Sequence, residues 1–456
     1  MYALCQIIDM EFLMQDAISV TNAGGKGKSL IFWRISTFWV LLIGYIGYYL
    51  CRANLPAAYP LLSHQFGFTN SQLGLIAFYS EIAYAIGKFI NGSLGDKIGG
   101  KKVFLGGMAG AIAFNLLFTQ FTTLTAFIVI WCCCRYFLSM GWGGIVKTIG
   151  AWYPPERNGT IMGWISINFQ FGGVVAALFA GYLVARGVGW RGLFAWPAAI
   201  LLVILIGSWF LMKESPHEVD PHFSLTQAKL PSHAKGTLAI IGHLLKLSLF
   251  RQLLVFSLLT TFLRSIFFFW TAKFLSDIGM KDSLAIISSA LFPLLGCIGT
   301  VFLGWYTDHY AKDGDRAKMM WIMLVGLAVS LAAIAFLSEP AWVVSSRGWI
   351  VVLSGVAGFC LLGPYSMSAG CLTLDLAGAE AASTAAGWID GIGYFGGALA
   401  VWLTGFLSDR AGWTEVFLML TAFALLSALS AFLMSWSTRK DKKAAAIPSS
   451  GIAAAP

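Results

Sequence analysis

Charged residues are scarce in this chain. Only 11% of its 456 residues are Asp, Glu, Lys or Arg, whereas an average soluble domain carries about 25%. A hydrophobic content of 58% and a mean hydropathy of +0.76 point the same way. This composition excludes a soluble enzyme, a disordered chain and a small disulfide scaffold. It predicts an integral membrane protein that crosses the bilayer many times.

The signatures of enzymes and metal sites are also missing. The sequence contains no Walker loop, no HExxH and no nucleophile elbow in a suitable context, so we expect a protein that is not an enzyme. None of the eight cysteines forms a CxxC pair. The histidines of the central polar stretch lack the spacing of a zinc site. We therefore expect neither a metal nor a cofactor.

Twelve apolar segments follow one another along the chain, each close to the roughly 20 residues that a spanning helix needs. They lie at 35–62, 70–95, 102–122, 125–150, 158–185, 190–212, 248–276, 283–307, 318–338, 348–375, 381–408 and 412–436. The sequence thus predicts an all-α membrane protein of twelve transmembrane helices. Its predicted parts are an N-terminal segment (1–34), a six-helix half (35–212), a central loop (213–247), a second six-helix half (248–437) and a flexible basic tail (438–456).

The basic residues are unevenly distributed between the two sides of the predicted membrane. Nineteen of the 30 Lys and Arg residues fall on the side of the N-terminus and central loop, and five on the other. Because cytoplasmic loops carry the excess of Lys and Arg, both termini and the central loop are predicted to be cytoplasmic. The same rule explains the net charge of +9 without a nucleic-acid partner. The compact loops favour a bacterial inner membrane, and we expect a monomer in the lipid bilayer.

Six basic residues remain, and all of them lie within predicted spans. They are Arg52, Lys88, Arg135, Lys147, Arg264 and Lys273. Only two acids, Glu81 and Asp390, occupy comparable positions. A charge at mid-membrane costs about 2.5–3.5 kcal/mol, so such residues usually face a bundle interior or a wet cavity. The surplus of cations predicts an anionic ligand, although Lys147 and Lys273 also fit snorkelling from helix ends.

The two halves of the chain repeat each other. Three residues of the first half recur 212 residues later in the second half. The pairs are Gly92 and Gly304, Asp96 and Asp308, and Arg52 and Arg264. A further match relates GWISINFQFGG (163–173) to GWIDGIGYFGG (387–397) at an offset of 224. Two parallel six-helix repeats, with a ligand site between them near the midplane, form a transporter architecture.

Around these residues the chain resembles the major facilitator superfamily. The stretch GSLGDKIGGKK (92–102) is similar to that superfamily's signature between its second and third helices. Arg135 with the following MGWGG (140–144) resembles its fourth-helix arginine motif. The resemblance implies two pseudo-symmetric halves and a gating or structural role for the motif residues. These are Gly92, Asp96, Lys97, Arg135 and Asp308.

Finer features resemble the organophosphate:phosphate antiporters, which include glycerol-3-phosphate and hexose-phosphate transporters. The supporting stretches include GYIGYYLCRANLPAAYPLL (44–62), AYAIGKFINGSLGDK (83–97), LRSIFFFW (263–270) and STAAGWIDGIGYFGG (383–397). The resemblance implies that Arg52 and Arg264 bind the substrate phosphate and that Lys88 is a further cation of the site. It also implies that four aromatic residues line the cavity: Tyr45, Tyr49, Trp142 and Tyr394.

The chain departs from that family at two positions that bear on the substrate. The glycerol-3-phosphate carriers have a fifth-helix histidine where this chain has Phe169 followed by Gln170. Asp390 is foreign to their pattern and resembles the eleventh-helix IDG of the sugar-phosphate exchangers. We count Gln170 and Asp390 among the substrate-binding candidates. Pairing with a cation, hydrogen bonding to a sugar hydroxyl and carrying a proton all remain open for Asp390.

The spacing of the candidates gives the site a physical interpretation. Tyr45, Tyr49 and Arg52 follow the pattern i, i+4, i+7 and therefore share one helix face. A guanidinium presents a planar fork that matches the oxygens of a phosphate. Glu81 shares a face with Lys88, so it either tethers Lys88 or Arg52 in the empty site or lies near the outer mouth.

The expected function is secondary transport of a phosphorylated organic anion in exchange for inorganic phosphate by alternating access. Glycerol 3-phosphate, phosphoglycerate and sugar phosphates all fit such a site. Two alternatives stay open. One is a proton-coupled symporter of sugar-acid carboxylates that would depend on Glu81 and Asp390. The other is a transporter-like sensor of sugar phosphate.

Overall fold

The structure is a computed structural model that describes residues 27–153, 155–220, 242, 244–310, 315–368 and 371–445. Within these ranges the chain is helical and contains no strand. The helices are α1 (Gly27–Arg52), α2 (Asn54–Phe66), α3 (Asn70–Ile98), α4 (Gly100–Phe118), α5 (Leu124–Leu138), α6 (Met140–Trp152), α7 (Pro155–Ala185), α8 (Trp190–Leu211), α9 (Ser248–Asp277), α10 (Asp282–Ser289), α11 (Leu291–Tyr310), α12 (Ala317–Leu337), α13 (Val343–Ser368), α14 (Cys371–Arg410) and α15 (Trp413–Ala445). The prediction of an all-α protein is confirmed.

The described helices supply the predicted membrane spans. Eleven helical stretches are long and apolar enough to cross a membrane. Three of them, Ser29–Phe66, Leu124–Trp152 and Asp282–Thr307, each join two consecutive helices. A twelfth apolar stretch, Gln170–Ala185 in α7, is shorter. The twelve-helix arrangement expected from the sequence is therefore present.

Proline explains two of the three breaks within these joined spans. The paired helices meet at one residue each: Ala53, Ser139 and Ala290. Proline lacks the N–H group that would bond to the carbonyl group four residues earlier in a helix. Pro56 therefore leaves the carbonyl of Arg52 without its helical partner, and Pro293 does the same for Ser289, the last residue of α10. The first break places Arg52 at the C-terminal end of α1.

The described residues form two compact units. Unit 1 comprises those within Met1–Phe66 and Tyr79–Ser232, and unit 2 those within Gly67–Phe78 and His233–Pro456. In unit 1, α7 packs against α1, and α4 packs against α5 and α6. A Cβ atom added at Gly172 on α7 would lie only 2.9 Å from the Cβ of Tyr49. This close approach fixes the rotation of α1 and the direction of the face that carries Tyr49.

Unit 2 uses the repeated glycine motif in the same way. Helix α14 packs along α9, and a Cβ added at Gly393 would lie 2.6 Å from Oγ1 of Thr261. A Cβ added at Gly396 would lie 3.0 Å from the side chain of Leu258. Gly172 and Gly396 are equivalent in the 224-residue repeat. The repeated motif thus lies at a helix contact in both units, between α7 and α1 in unit 1 and between α14 and α9 in unit 2.

The start of α3 belongs to unit 2, whereas the sequence-based division placed it within 35–212. The backbone N–H groups of Asn70 and Ser71 donate to the two carboxylate oxygens of Asp409, at 3.0 and 2.6 Å. The first N–H groups of a helix have no partner within it and attract negative charge. The carboxylate of Asp409 therefore binds the first turn of α3 to the end of α14.

Candidate functional site

Three aromatic side chains in unit 1 form a cluster, and one of them contacts Arg52. The ring centroids of Tyr45 and Tyr49 are 5.6 Å apart, and those of Tyr45 and Trp142 are 5.8 Å apart. The guanidinium carbon of Arg52 lies 5.4 Å from the centroid of the Tyr49 ring. Arg52 is only 6% exposed. The structure therefore links four of the sequence-predicted site residues in one chain of contacts that ends at a buried charge.

Tyr84 on α3 is a site residue that the sequence did not reveal. Its hydroxyl accepts a hydrogen bond from Nη1 of Arg52 at 3.3 Å. Its ring centroid lies 4.8 Å from the guanidinium carbon of Arg52, 4.3 Å from that of Arg135 and 5.5 Å from Nζ of Lys88. Attraction between a cation and an aromatic face strengthens when the pair is desolvated. The available signal was the spacing of Tyr84 and Lys88, since residues four apart share a helix face.

Glu81 on α3 forms a buried ion pair with Arg135 on α5. Oε1 of Glu81 contacts Nη2 of Arg135, and the two side chains are 2% and 1% exposed. The sequence suggested Lys88 or Arg52 as the partner of Glu81, and it did not suggest Arg135. Arg135 therefore has an ionic partner inside unit 1, besides the gating or structural role that the superfamily resemblance implies.

Unit 2 contains an arginine in a matching environment. Arg264 on α9 is 8% exposed, and its guanidinium carbon lies 4.8 Å from the ring centroid of Tyr365 on α13. Arg52 and Arg264 thus share an equivalent position in the 212-residue repeat, burial, and a tyrosine ring from a neighbouring helix. The contact with Tyr365 could not be read from the sequence, because no spacing rule relates residues on α9 and α13.

The remaining substrate-binding candidates lie on α7 and α14. Gln170 on α7 and Tyr394 on α14 are equivalent in the 224-residue repeat and are 5% and 6% exposed. Asp390 is half-buried on α14. The carbonyl oxygen of its neighbour Ile389 accepts a hydrogen bond from Oγ of Ser257 on α9 at 3.1 Å. All three candidates therefore lie on a helix that packs against the helix of Arg52 or Arg264: Gln170 on α7, which packs against α1, and Asp390 and Tyr394 on α14, which packs against α9.

The predicted gating residues are only partly visible. The surroundings of four of them lie outside the described part of the structure: Gly92, Asp96, Lys97 and Asp308. The turn that follows the first three is described. There the N–H groups of Gly100 and Lys101 donate to the carboxylate of Glu214 at 2.5 and 3.0 Å. This carboxylate caps the first turn of α4 and joins it to the segment that follows α8.

The two lysines suspected of snorkelling have different environments, since Lys273 is buried and Lys147 is exposed. Lys273 contacts the carboxylate of Asp277 one turn later, near the end of α9. Asp277 also accepts a hydrogen bond from Nε1 of Trp413 at 3.1 Å. Lys147 on α6 is exposed. The buried arginines therefore remain the strongest candidates for binding an anion.

The charges in unit 1 suit a small anion with two oxygens that can accept parallel hydrogen bonds from one guanidinium. Arg52, Lys88 and Arg135 supply three positive charges around one tyrosine ring, and Glu81 supplies one negative charge. Guanidinium groups donate two parallel hydrogen bonds to carboxylate or phosphate oxygens. Aromatic neighbours hold the arginines in place without neutralising them.

The sequence matches related proteins over nearly its whole length. It is 28% identical over 451 residues to the "Probable hexose phosphate transport protein" of Chlamydia pneumoniae, which covers 92% of this chain and 95% of that protein. It is 28% identical over 424 residues to the "Glycerol-3-phosphate transporter" of Bacillus subtilis (strain 168), covering 89% and 93%. It is also 26% identical over 412 residues to the "Membrane sensor protein UhpC" of Escherichia coli (strain K12), covering 87% and 91%.

Solved structures share the fold at low sequence identity. A bacterial homologue of the human lysosomal transporter Spinster, in an inward-facing and unoccupied conformation, matches with a TM-score of 0.75 and 17% identity. The match covers 90% of this chain and 98% of that one. Residues 41–344 match the family described as "Major Facilitator Superfamily". The predictions of a multi-pass membrane protein, and of a transporter rather than an enzyme, are confirmed: the chain belongs to the Major Facilitator Superfamily.

Proposed function

We propose that this protein exchanges a phosphorylated organic anion for inorganic phosphate by alternating access. The organic anion is glycerol 3-phosphate, phosphoglycerate or a sugar phosphate. Two relatives that are named as hexose phosphate and glycerol-3-phosphate transporters support a phosphorylated substrate. Conservation of the fold alone would not select this substrate class, so the proposal depends on the chemistry of the site.

The observation that carries the proposal is the pair of equivalent buried arginines. Arg52 and Arg264 each lie 4.8 Å from the centroid of a tyrosine ring in their own unit. A guanidinium donates paired hydrogen bonds to phosphate oxygens, and its charge acts more strongly on an anion in a buried site than in water. We assign the substrate phosphate to both guanidinium groups, with Lys88 as an additional point charge. The remaining candidates would contact the organic group or orient the arginines: Tyr45, Tyr49, Trp142, Gln170, Tyr394 and Asp390.

This charge distribution gives a physical reason for exchange. Any conformational step that desolvates the cations is disfavoured while the site is empty. A bound phosphate or organophosphate compensates their charge and lowers the cost of that step. A ligand shifts a conformational equilibrium only through its different affinity for the two states. Reorientation would therefore proceed with a ligand from either side and stall without one.

We place the protein in a bacterial inner membrane as a monomer. The distribution of Lys and Arg supports cytoplasmic locations for both termini and for the central loop. In this orientation the predicted gating residues Gly92, Asp96, Lys97 and Asp308 lie near the cytoplasmic face.

The experiment that tests this function uses purified protein in lipid vesicles. Uptake of labelled phosphate is followed into vesicles that contain phosphate and into vesicles that do not. We expect uptake only with internal phosphate, inhibition by one member of an organophosphate panel, and no effect of an uncoupler. Equal uptake into empty vesicles would contradict exchange. Uptake of a sugar acid that collapses with an uncoupler would instead indicate proton-coupled symport and would make Asp390 the next residue to replace.

A second candidate function is sensing of a sugar phosphate. The observation that favours it is the similarity to the protein named as a membrane sensor. A sensor would bind sugar phosphate without moving it. Ligand-dependent thermal stabilisation in detergent, combined with no flux in vesicles, would support sensing over transport.

A further inference from the structure

Unit 1 contains an ion pair to which the proposed phosphate site assigns no part. Glu81 and Arg135 contact each other across α3 and α5, with side chains 2% and 1% exposed. Nε and Nη1 of Arg135 are also buried and donate no hydrogen bond within the described part of the chain. A buried ion pair often contributes little net stability, because both charges must lose their hydration. The pair therefore requires an explanation other than stability.

The position of this ion pair relative to Arg52 offers such an explanation. The guanidinium carbons of Arg135 and Arg52 lie 4.3 and 4.8 Å from the centroid of the same Tyr84 ring. The two guanidinium carbons are therefore at most about 9 Å apart, and at an effective dielectric constant of about 20 two unit charges at that distance change a binding constant on the order of tenfold. A charge on Arg135 without its counter-ion would therefore act on any anion bound at Arg52.

We infer that Glu81 sets the positive charge that unit 1 presents to the transported anion. The carboxylate of Glu81 compensates Arg135, so Arg135 adds no net charge beside Arg52 and Lys88. Without this carboxylate, a third positive charge would hold phosphate too tightly for rapid exchange and would favour anions of higher charge. Glu81 is thus a specificity-determining residue that acts through Arg135. The inference rests on the proposed function, because it concerns the same phosphate site.

The test measures phosphate binding and exchange by Glu81→Gln. Glutamine keeps the shape of the side chain and removes its charge, while Arg135 keeps its positive charge, as arginine does in proteins generally. We expect the KM for inorganic phosphate to fall on the order of tenfold. We also expect the maximal exchange rate to fall, because tighter binding slows release. Pyrophosphate, used as a competitor, should gain affinity by a larger factor than phosphate, because it carries more charge.

Two control variants separate charge from structure. Glu81→Asp retains the carboxylate and should keep the KM close to that of the wild type. The double variant with Glu81→Gln and Arg135→Gln removes both charges and should return the KM toward the wild-type value. The double variant also covers a failure of Glu81→Gln to fold, because removing both partners is tolerated better than removing one. In that case a double variant whose phosphate affinity differs from the wild type by more than about tenfold would overturn the inference.

The remaining outcomes distinguish this inference from the proposed function. Suppose that the wild type exchanges phosphate, but the KM of Glu81→Gln for phosphate rises or stays constant. That result overturns the inference and leaves the proposed function intact. A wild type that neither binds nor exchanges phosphate overturns both. A merely structural role of the ion pair would raise the KM in the single variant and would not favour pyrophosphate.

Discussion

Tyr84 connects Arg52 to the interior of unit 1 in two ways. Its hydroxyl accepts a hydrogen bond from the guanidinium, and its ring lies beside the same group. Both interactions restrict the orientation of a long side chain that otherwise has about 2 kcal/mol of rotamer entropy to lose. A preoriented donor edge binds an anion at a lower entropic cost.

Replacing Tyr84 should separate these two contributions. Tyr84→Phe removes the hydroxyl and keeps the ring. We expect the KM for phosphate to rise about tenfold, because a hydrogen bond that involves a charged group contributes about 1.5 kcal/mol. Tyr84→Ala also removes the ring and should raise the KM further.

Tyr182 provides the matched control for Tyr84. Its ring lies 5.2 Å from the guanidinium carbon of Arg186, but both side chains are exposed. Tyr182→Phe should exchange phosphate like the wild type. Wild-type KM values in both Tyr84 variants would remove Tyr84 from the site.

At the scale of helices, glycines set how closely α7 approaches α1 in unit 1 and how closely α14 approaches α9 in unit 2. Gly172 lies against Tyr49 of α1, and Gly396 lies against Leu258 of α9. The repeat of the glycine motif relates α7 to α14 in the sequence, and the structure shows which helix each of them packs against. The rotation of the helices was less predictable: α9 is buried along most of its length, and a helix that is apolar all round has no distinct face in its sequence pattern.

Gly172→Ala should disturb both packing and transport. The added Cβ would lie 2.9 Å from the Cβ of Tyr49, and overpacking of this kind costs about 1–3 kcal/mol. We expect a lower melting temperature in detergent and a higher KM for phosphate, because Tyr49 neighbours Arg52. Gly207→Ala is the control, since nothing lies within 4 Å of a Cβ added there. Equal melting temperatures for the two variants would argue against the close contact.

At the scale of the whole molecule, the internal repeat predicted more than the local pattern did. The 212-residue offset related Arg52 to Arg264, and the structure gives both a buried position beside a tyrosine. The contact with Tyr365 and the pairing of Glu81 with Arg135 could not be predicted, whereas Tyr84 left a signal in its spacing from Lys88. The sequence offered Lys88 and Arg52 as partners of Glu81, and only the packing of α3 within unit 1 brings it to Arg135 instead.

The helix breaks near the prolines also combine a local effect, which depends on neighbouring residues of the sequence, with contacts between distant helices. The missing hydrogen bond at Pro56 is a local property, but Pro197 and Pro364 lie inside unbroken helices, so the sequence alone does not place a break after Arg52. Its consequence for the direction of the Arg52 side chain depends on contacts with α3, and these become visible only in the structure.

The central claim is that Arg52 and Arg264 bind phosphate through their planar guanidinium groups. The most direct test compares phosphate exchange by the wild type, Arg52→Lys, Arg264→Lys and Arg186→Lys in phosphate-loaded vesicles. Lysine keeps the positive charge and loses the fork, so each of the first two variants should lose about tenfold or more in exchange rate. Arg186 also lies beside a tyrosine ring but is exposed, and its variant should match the wild type. Wild-type exchange by Arg52→Lys and Arg264→Lys would contradict the account.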